Sequence, residues 1–251
     1  MARRRSLPVQ YHVSEAGEEV FDRVVRFIQL HGFCCVETRL VKEKESLNAA
    51  VAEVRKLEAS LEATPEIVLD GLLGEDGSAR TLALEKHPEA LQPTDQVLSD
   101  YAAGLMKSPS ALDMGLQKLE RTPSLLHEAG APEEDPPAMS EVEAQAWLPI
   151  FLRHQIMLIL FLGPSRGTLE LQPFDEDGHP MRLRTEPGML VALQANGVWR
   201  RYSCAPGTQS YALSCFLLGS ETVGVARSPT AEQLDQWMLR HIEVAAEKGD
   251  P

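Results

Sequence analysis

Apolar residues recur at helical spacing through Val20, Val24, Phe27 and Ile28, with acidic residues crowded ahead of them. This predicts a helix over Ser14–Leu30 that stops at His31-Gly32. Phe33-Cys34-Cys35-Val36 reads as a short buried strand. Leu47, Val51, Val54, Leu57 and Leu61 mark a second helix. Two short apolar segments around Glu75-Asp76-Gly77-Ser78 predict a hairpin within Asp70–Leu84, and a further helix is predicted over Thr94–Lys107. Between Ser108 and Ser140 five prolines interrupt the pattern. That stretch reads as an irregular, mobile connector with a short helix near Met114–Leu119. From Trp147 onward the chain reads as strand-rich: Met157–Leu162, Thr168–Phe174, Met181–Arg184, Met189–Leu193, Val198–Ser203 and Tyr211–Leu218. An Asp-Gly turn is expected at Asp175–Gly178. A helix over Pro229–Glu247 closes the chain, with Thr230 and Gln233 as its expected capping box.

The turn after Met157–Leu162 spells Gly163-Pro164-Ser165-Arg166-Gly167, the G-x-S-x-G string of a nucleophile elbow. An elbow requires a strand before the serine and a helix after it. Here Thr168-Leu169-Glu170-Leu171-Gln172 alternates with period two, which predicts a second strand and a hairpin. Asp235 and His241 complete a triad on paper, but they share one predicted helix and point in different directions. Ser165 is therefore rejected as a nucleophile, with a serine hydrolase kept as an alternative.

The chain has 251 residues, 43% of them hydrophobic, enough for one large domain with a real core. A formal net charge of −13 argues against a nucleic-acid or anionic-membrane surface. The one basic cluster, Arg3-Arg4-Arg5, falls in residues 1–13, expected to be disordered. No apolar run reaches the eighteen or so residues of a membrane span, and no signal peptide is evident. Cys34, Cys35, Cys204 and Cys215 show no C-x-x-C spacing and are expected to be reduced thiols in a cytoplasmic protein.

Several stretches are similar to the 2-oxoglutarate and Fe(II)-dependent oxygenases, particularly the prolyl-hydroxylase-like branch. "HGFCCVETRLVKEKESLNAAVAEV" resembles that family's opening strand and helix, and "MLILFLGPSRGTLEL" its core strands. "EPGMLVAL" resembles the segment leading to the second metal histidine, and "YALSCFLLG" the last jelly-roll strand. The resemblance covers roughly Phe21–Gly219. It implies an α+β fold: a double-stranded β-helix, or jelly roll, with N-terminal helices and a C-terminal helix. The expected parts are residues 14–107 (helices and first strands), 108–140 (connector), 141–222 (core strands) and 228–248 (final helix).

That family's chemistry needs two histidines and a carboxylate on one face of an iron. The resemblance places the first histidine at His154, the carboxylate at Ile156 and the second histidine at Trp199. The arginine that grips 2-oxoglutarate falls at Gln209. Only His154 has the required chemistry, and no histidine occurs from Pro180 to Arg240. The expectation is a degenerate oxygenase without catalytic, metal or cofactor residues. Its alternative is an Fe(II) and 2-oxoglutarate dioxygenase with atypical ligands. Trp199-Arg200-Arg201-Tyr202 is a candidate surface for an anion, a planar ligand or a partner. Its plainer reading is a strand whose arginine stems cover apolar surface. His179 with Asp175 and Asp177 reads as a solvated turn rather than a metal site. His31, His87 and His127 receive no role.

The wording from Phe161 to Leu193, with "YALSCFLLG", also resembles segments found beside polyketide synthase domains in dinoflagellates. This implies an accessory domain rather than a ketosynthase. The expected function is thus a non-catalytic, oxygenase-like scaffold that binds a protein partner or a small ligand, in that setting or another.

Overall fold

The structure is a computed structural model; it describes residues 18–86, 88–130, 135–173, 180–220 and 228–247. The expected turn at Asp175–Gly178, His179, His87 and the N-terminal basic stretch lie outside the described residues.

Helix α1 (Glu18–His31) ends at Gly32, whose φ of 78° lets its N–H reach the Ile28 carbonyl at 2.7 Å. Strand β1 (Phe33–Glu37), α2 (Lys44–Leu57), the two-residue β2 (Glu62–Ala63) and the short α3 (Glu66–Leu69) follow. Next come β3 (Arg80–Leu84), α4 (Gln92–Lys107), β4 (Glu120–Arg121) and β5 (Ser124–Ala129). Then α5 (Glu141–Arg153) leads into β6 (His154–Pro164), β7 (Gly167–Pro173) and β8 (Met181–Thr185). Finally β9 (Met189–Gln194), β10 (Val198–Cys204), β11 (Ser210–Leu218) and α6 (Pro229–Glu247) complete the chain.

An eight-stranded sheet runs β1-β9-β6-β11-β5-β3-β2, with β4 beside β11, and a three-stranded sheet runs β10-β7-β8. Every pairing is antiparallel. The large sheet is apolar on both faces, which explains why its central strands read as unbroken hydrophobic runs. On β11, Tyr211, Leu213, Cys215 and Leu217 join the core under α1, α2 and α4. Ala212, Phe216 and Leu218 join the core shared with the small sheet. The expected jelly roll with helices at both ends is therefore present.

Three expectations need correction. The turn Pro164–Gly167 is not a hairpin: β6 pairs with β9 and β11, whereas β7 pairs with β8 and β10, so this turn carries the chain from one sheet to the other. Asp70–Leu84 is not a hairpin either. Leu72 and Leu73 fold into the inter-sheet core as a tight turn, closed by the Gly74 N–H on the Leu69 carbonyl at 2.9 Å. The stretch 108–140, expected to be a connector, supplies β5, every residue of which is buried between β3 and β11.

Two helix starts also differ from expectation. Helix α5 occupies the start of the stretch 141–222, where core strands were expected. Ser140 Oγ accepts from the Glu143 N–H, and the Glu143 carboxylate accepts from the Ser140 N–H, a complete capping box. Helix α6 is capped by Ser228, whose Oγ accepts from the Ala231 N–H at 3.2 Å, rather than by Thr230 and Gln233.

Gly188, in the turn before β9, has a φ of +86°, and a Cβ there would meet the backbone nitrogen of Val41 at 2.6 Å. Its carbonyl accepts from Thr38 Oγ at 2.7 Å. Gly188→Ala is expected to cost about 2–4 kcal/mol, from the positive φ and the backbone clash together. A lowered urea midpoint with an unchanged slope checks this; an unchanged midpoint contradicts it.

Candidate functional site

Strand β10 alternates strictly. Val198, Arg200 and Tyr202 are buried on the barrel side, while Arg201 is exposed and forms an ion pair with Asp76 at 2.9 Å. Arg200 is only 2% exposed. Its Nε donates to the Leu72 carbonyl at 2.9 Å, and Nη1 donates to Ala195 at 2.8 Å and Val198 at 3.3 Å. Nη2 donates to the Gly71 carbonyl. Among the described residues no carboxylate lies within ion-pair distance of it. Burial lowers its pKa to about 10, opposed by the charge of Asp70, so it stays protonated at neutral pH. Tyr202 is also inside, with its hydroxyl 2.9 Å from Ser210 Oγ.

The stretch Trp199–Tyr202 is thus not a continuous surface. Arg201 suits the plainer reading of surface arginines; Arg200 does not, because its head rather than its stem is buried. Sequence periodicity alone could not tell the two arginines apart.

Beside Arg200 lies a cavity of about 50 Å³. His154, Trp199 and Arg200 line it together with Asp70 and the start of α6. Two positions named from the sequence, His154 and Trp199, are therefore brought together here, at the start of β6 and the start of β10. His154 is 3% exposed and packs against the rings of Phe151 and Phe216. Its Nδ1 is 3.3 Å from the Ile150 carbonyl, and its Nε2 has no hydrogen-bond partner among the described residues. Burial, with help from the Arg200 charge, lowers its pKa to about 4.

Ile156 and Gln209 are elsewhere. An irregularity in the β6–β11 register separates His154 from Ile156, and Ile156 faces the helices with Leu158 and Leu160. Gln209 donates to Glu128 at 2.5 Å and to Glu58 at 3.3 Å, in a cluster that also holds Arg80 and Tyr211. Ser165 is followed by a strand, not a helix, and its carbonyl accepts from Ser210 Oγ at 3.1 Å. The nucleophile reading has no geometric support.

The residue that sequence reasoning passed over is His127. It lies on β5, wholly buried, with Nδ1 2.9 Å from Ser78 Oγ and Nε2 2.7 Å from Ser214 Oγ. Burial first, and Arg200 second, lower its pKa to about 3. The signal was the alternation Leu125-His127-Ala129, obscured by Pro123 before it and Glu128 within it. Among the described residues no three His, Cys, Asp or Glu side chains are grouped to hold a metal ion, and no helix is long and apolar enough to cross a membrane.

No protein-family model matches this sequence, and no curated protein does. Solved structures do match by shape. A prolyl-4-hydroxylase from Pseudomonas putida is 16% identical, with a TM-score of 0.51, over 80% of this chain and 100% of that one. A prolyl hydroxylase from Trichoplax adhaerens, solved with a hypoxia inducible factor peptide fragment, is 11% identical with a TM-score of 0.54, over 80% and 90%. The epimerase SnoN, solved with Fe3+, alpha ketoglutarate and nogalamycin RO, is 13% identical with a TM-score of 0.54, over 87% and 90%. This chain has the fold of the 2-oxoglutarate and Fe(II) oxygenases.

These neighbours correct the expectation that no cofactor goes with the chain: they point to iron and 2-oxoglutarate. The residues at the matched positions do not fit that pair as it is usually held. His154 has one unpartnered nitrogen, but Ile156 is on the opposite face of the sheet and Trp199 offers no ligand. The inward residue of β10 beside Trp199 is a buried cation, which repels a second one. A cavity of about 50 Å³ is also well below the ~300 Å³ at which small-molecule pockets begin.

Two outcomes are expected. Ser165→Ala should change stability by no more than about 0.5 kcal/mol, because the side chain is half-buried in a turn and only its carbonyl is used, by Ser210; a loss beyond 2 kcal/mol in urea unfolding contradicts the placement of this turn. The two buried histidines should make stability fall with acid. The unfolded chain takes up their protons as pH drops below 6.5, whereas the folded chain resists until about 4 for His154 and about 3 for His127. Stability is therefore full above 6.5 and declines below it, by about 1.4 kcal/mol per pH unit for each histidine. Urea unfolding across that window checks this, with His154→Phe expected to remove about half of the slope; a flat profile contradicts it.

Proposed function

We propose that this chain is a non-catalytic scaffold with the oxygenase fold, binding a protein partner or a small ligand. The observation that supports this reading is Arg200. A buried guanidinium that donates to the carbonyls of Gly71, Leu72, Ala195 and Val198 stands next to the position where the family resemblance requires a metal-binding histidine. The polyketide synthase resemblance of the sequence suggests a ketosynthase-containing protein as the partner.

The second reading is an Fe(II) and 2-oxoglutarate dioxygenase with atypical ligands. It is favoured by the SnoN neighbour, solved with iron and alpha ketoglutarate bound, and by the unpartnered Nε2 of His154. Iron and 2-oxoglutarate are accordingly the first ligands to supply.

The deciding measurement is succinate formation by the purified chain with Fe(II), 2-oxoglutarate and oxygen, followed with and without candidate substrates. The scaffold reading expects no succinate above the protein-free background. Protein-dependent succinate, abolished by His154→Phe, would establish the dioxygenase reading and end the scaffold one.

A further inference from the structure

The cavity beside Arg200 has features that its small volume does not explain. Buried charges in proteins are ordinarily paired, because an isolated one is costly to desolvate. Arg200 has carbonyl dipoles around it, but among the described residues it has no ion-pair partner. Asp70 influences it from an exposed position on the cavity rim. The opposite wall is the start of α6. Pro229 has no N–H, and the N–H groups of Ala231 and Glu232 are taken by Ser228, which leaves the Thr230 N–H without an acceptor among the described residues. A helix N-terminus and a guanidinium together favour negative charge. His154 adds a third, independent feature. Its Nδ1 is 3.3 Å from the Ile150 carbonyl, which can only accept; with the hydrogen on Nδ1, Nε2 is able to accept and has no hydrogen-bond partner among the described residues.

We propose that this cavity binds a small monovalent oxyanion bearing one O–H, with bicarbonate as its simplest example. Arg200 and the Thr230 N–H neutralise the charge, and the anion's hydroxyl donates to His154 Nε2. The volume of about 50 Å³ holds roughly three or four waters, which suits an ion of about four heavy atoms. Asp70 at the rim disfavours a divalent anion and an anion without a hydrogen to share. This inference rests on the binding-scaffold reading. Its failure is nevertheless distinct, since it is read from anion binding and not from succinate.

The test compares bicarbonate with nitrate, which has the same planar shape and charge but no O–H. Both are titrated by calorimetry at matched ionic strength, at a pH where bicarbonate is the main species. Trp199 lines the cavity, so its fluorescence is a second readout, assigned with Trp199→Phe. The expected result is saturable binding of one bicarbonate per chain, at least about tenfold tighter than nitrate. His154→Phe should abolish the preference while Arg201→Ala, on the outer face of β10, leaves it intact. No saturable binding, equal affinity for nitrate, or a preference that survives His154→Phe would each overturn the proposal. Should His154→Phe fail to fold, the imidazole nitrogen resonances of the unaltered protein serve instead. The Nε2 resonance must move with bicarbonate and not with nitrate; a stationary resonance overturns the proposal.

Discussion

The guanidinium of Arg200 is the constraint on which the closed end of the barrel depends. Its hydrogen bonds gather the carbonyls of Gly71 and Leu72, from the turn after α3, and those of Ala195 and Val198, from the β9–β10 connection. Segments more than a hundred residues apart in sequence are thereby fixed around one side chain. The arrangement stabilises only as a whole: with the cation present the carbonyls are satisfied, and without it they would be buried acceptors lacking donors. Burial first, and the same charge second, keep the two barrel histidines neutral. That neutrality in turn allows His127 to bridge two serines, Ser78 and Ser214, in an interior with no room for a second cation.

Much of this fold was legible in the sequence, and what was hidden was hidden for physical reasons. Strands β6, β9 and β11 are buried on both faces, so composition alone exposes them. Helices α1, α2, α4 and α6 each turn one apolar face to the core, and their spacing shows it. Strand β5 is equally buried, yet it carries His127 and Glu128 because polar partners await them on either face of the sheet: Ser78 and Ser214 inside, Arg80 and Gln209 outside. Such compensation is invisible until the partners are in place. Helix α5 was concealed by Pro149 and by a proline-rich approach. Its capping box at Ser140 and Glu143 was the local signal that outweighed them.

The candidate site was legible in position but not in chemistry. Matching the family pattern placed His154 and Trp199, and both do line the same cavity. It also placed Ile156 and Gln209, and neither lines that cavity: an irregularity in the β6–β11 register turns Ile156 to the helix-covered face, and Gln209, just before β11, is held by Glu58 and Glu128. Residue matching assumes an unbroken alternation of side chains, and a single slip reverses the face of every residue beyond it. Which of two adjacent arginines turned inward was likewise a question of register rather than of residue type.

Shape and residues therefore pull in different directions. The fold is shared with SnoN, solved with Fe3+ and alpha ketoglutarate, while the described residues around the cavity present a cation, an imidazole nitrogen and the start of a helix. This scaffold is held together by its two apolar cores. The side chains at the barrel end can consequently change their chemistry without loss of the jelly roll, provided every buried polar group still finds a partner. Arg200 meets that condition through main-chain carbonyls, which any sequence supplies. The Nε2 of His154 does not, and an unpartnered buried acceptor beside a buried cation is the feature of this barrel that a bound ligand would complete.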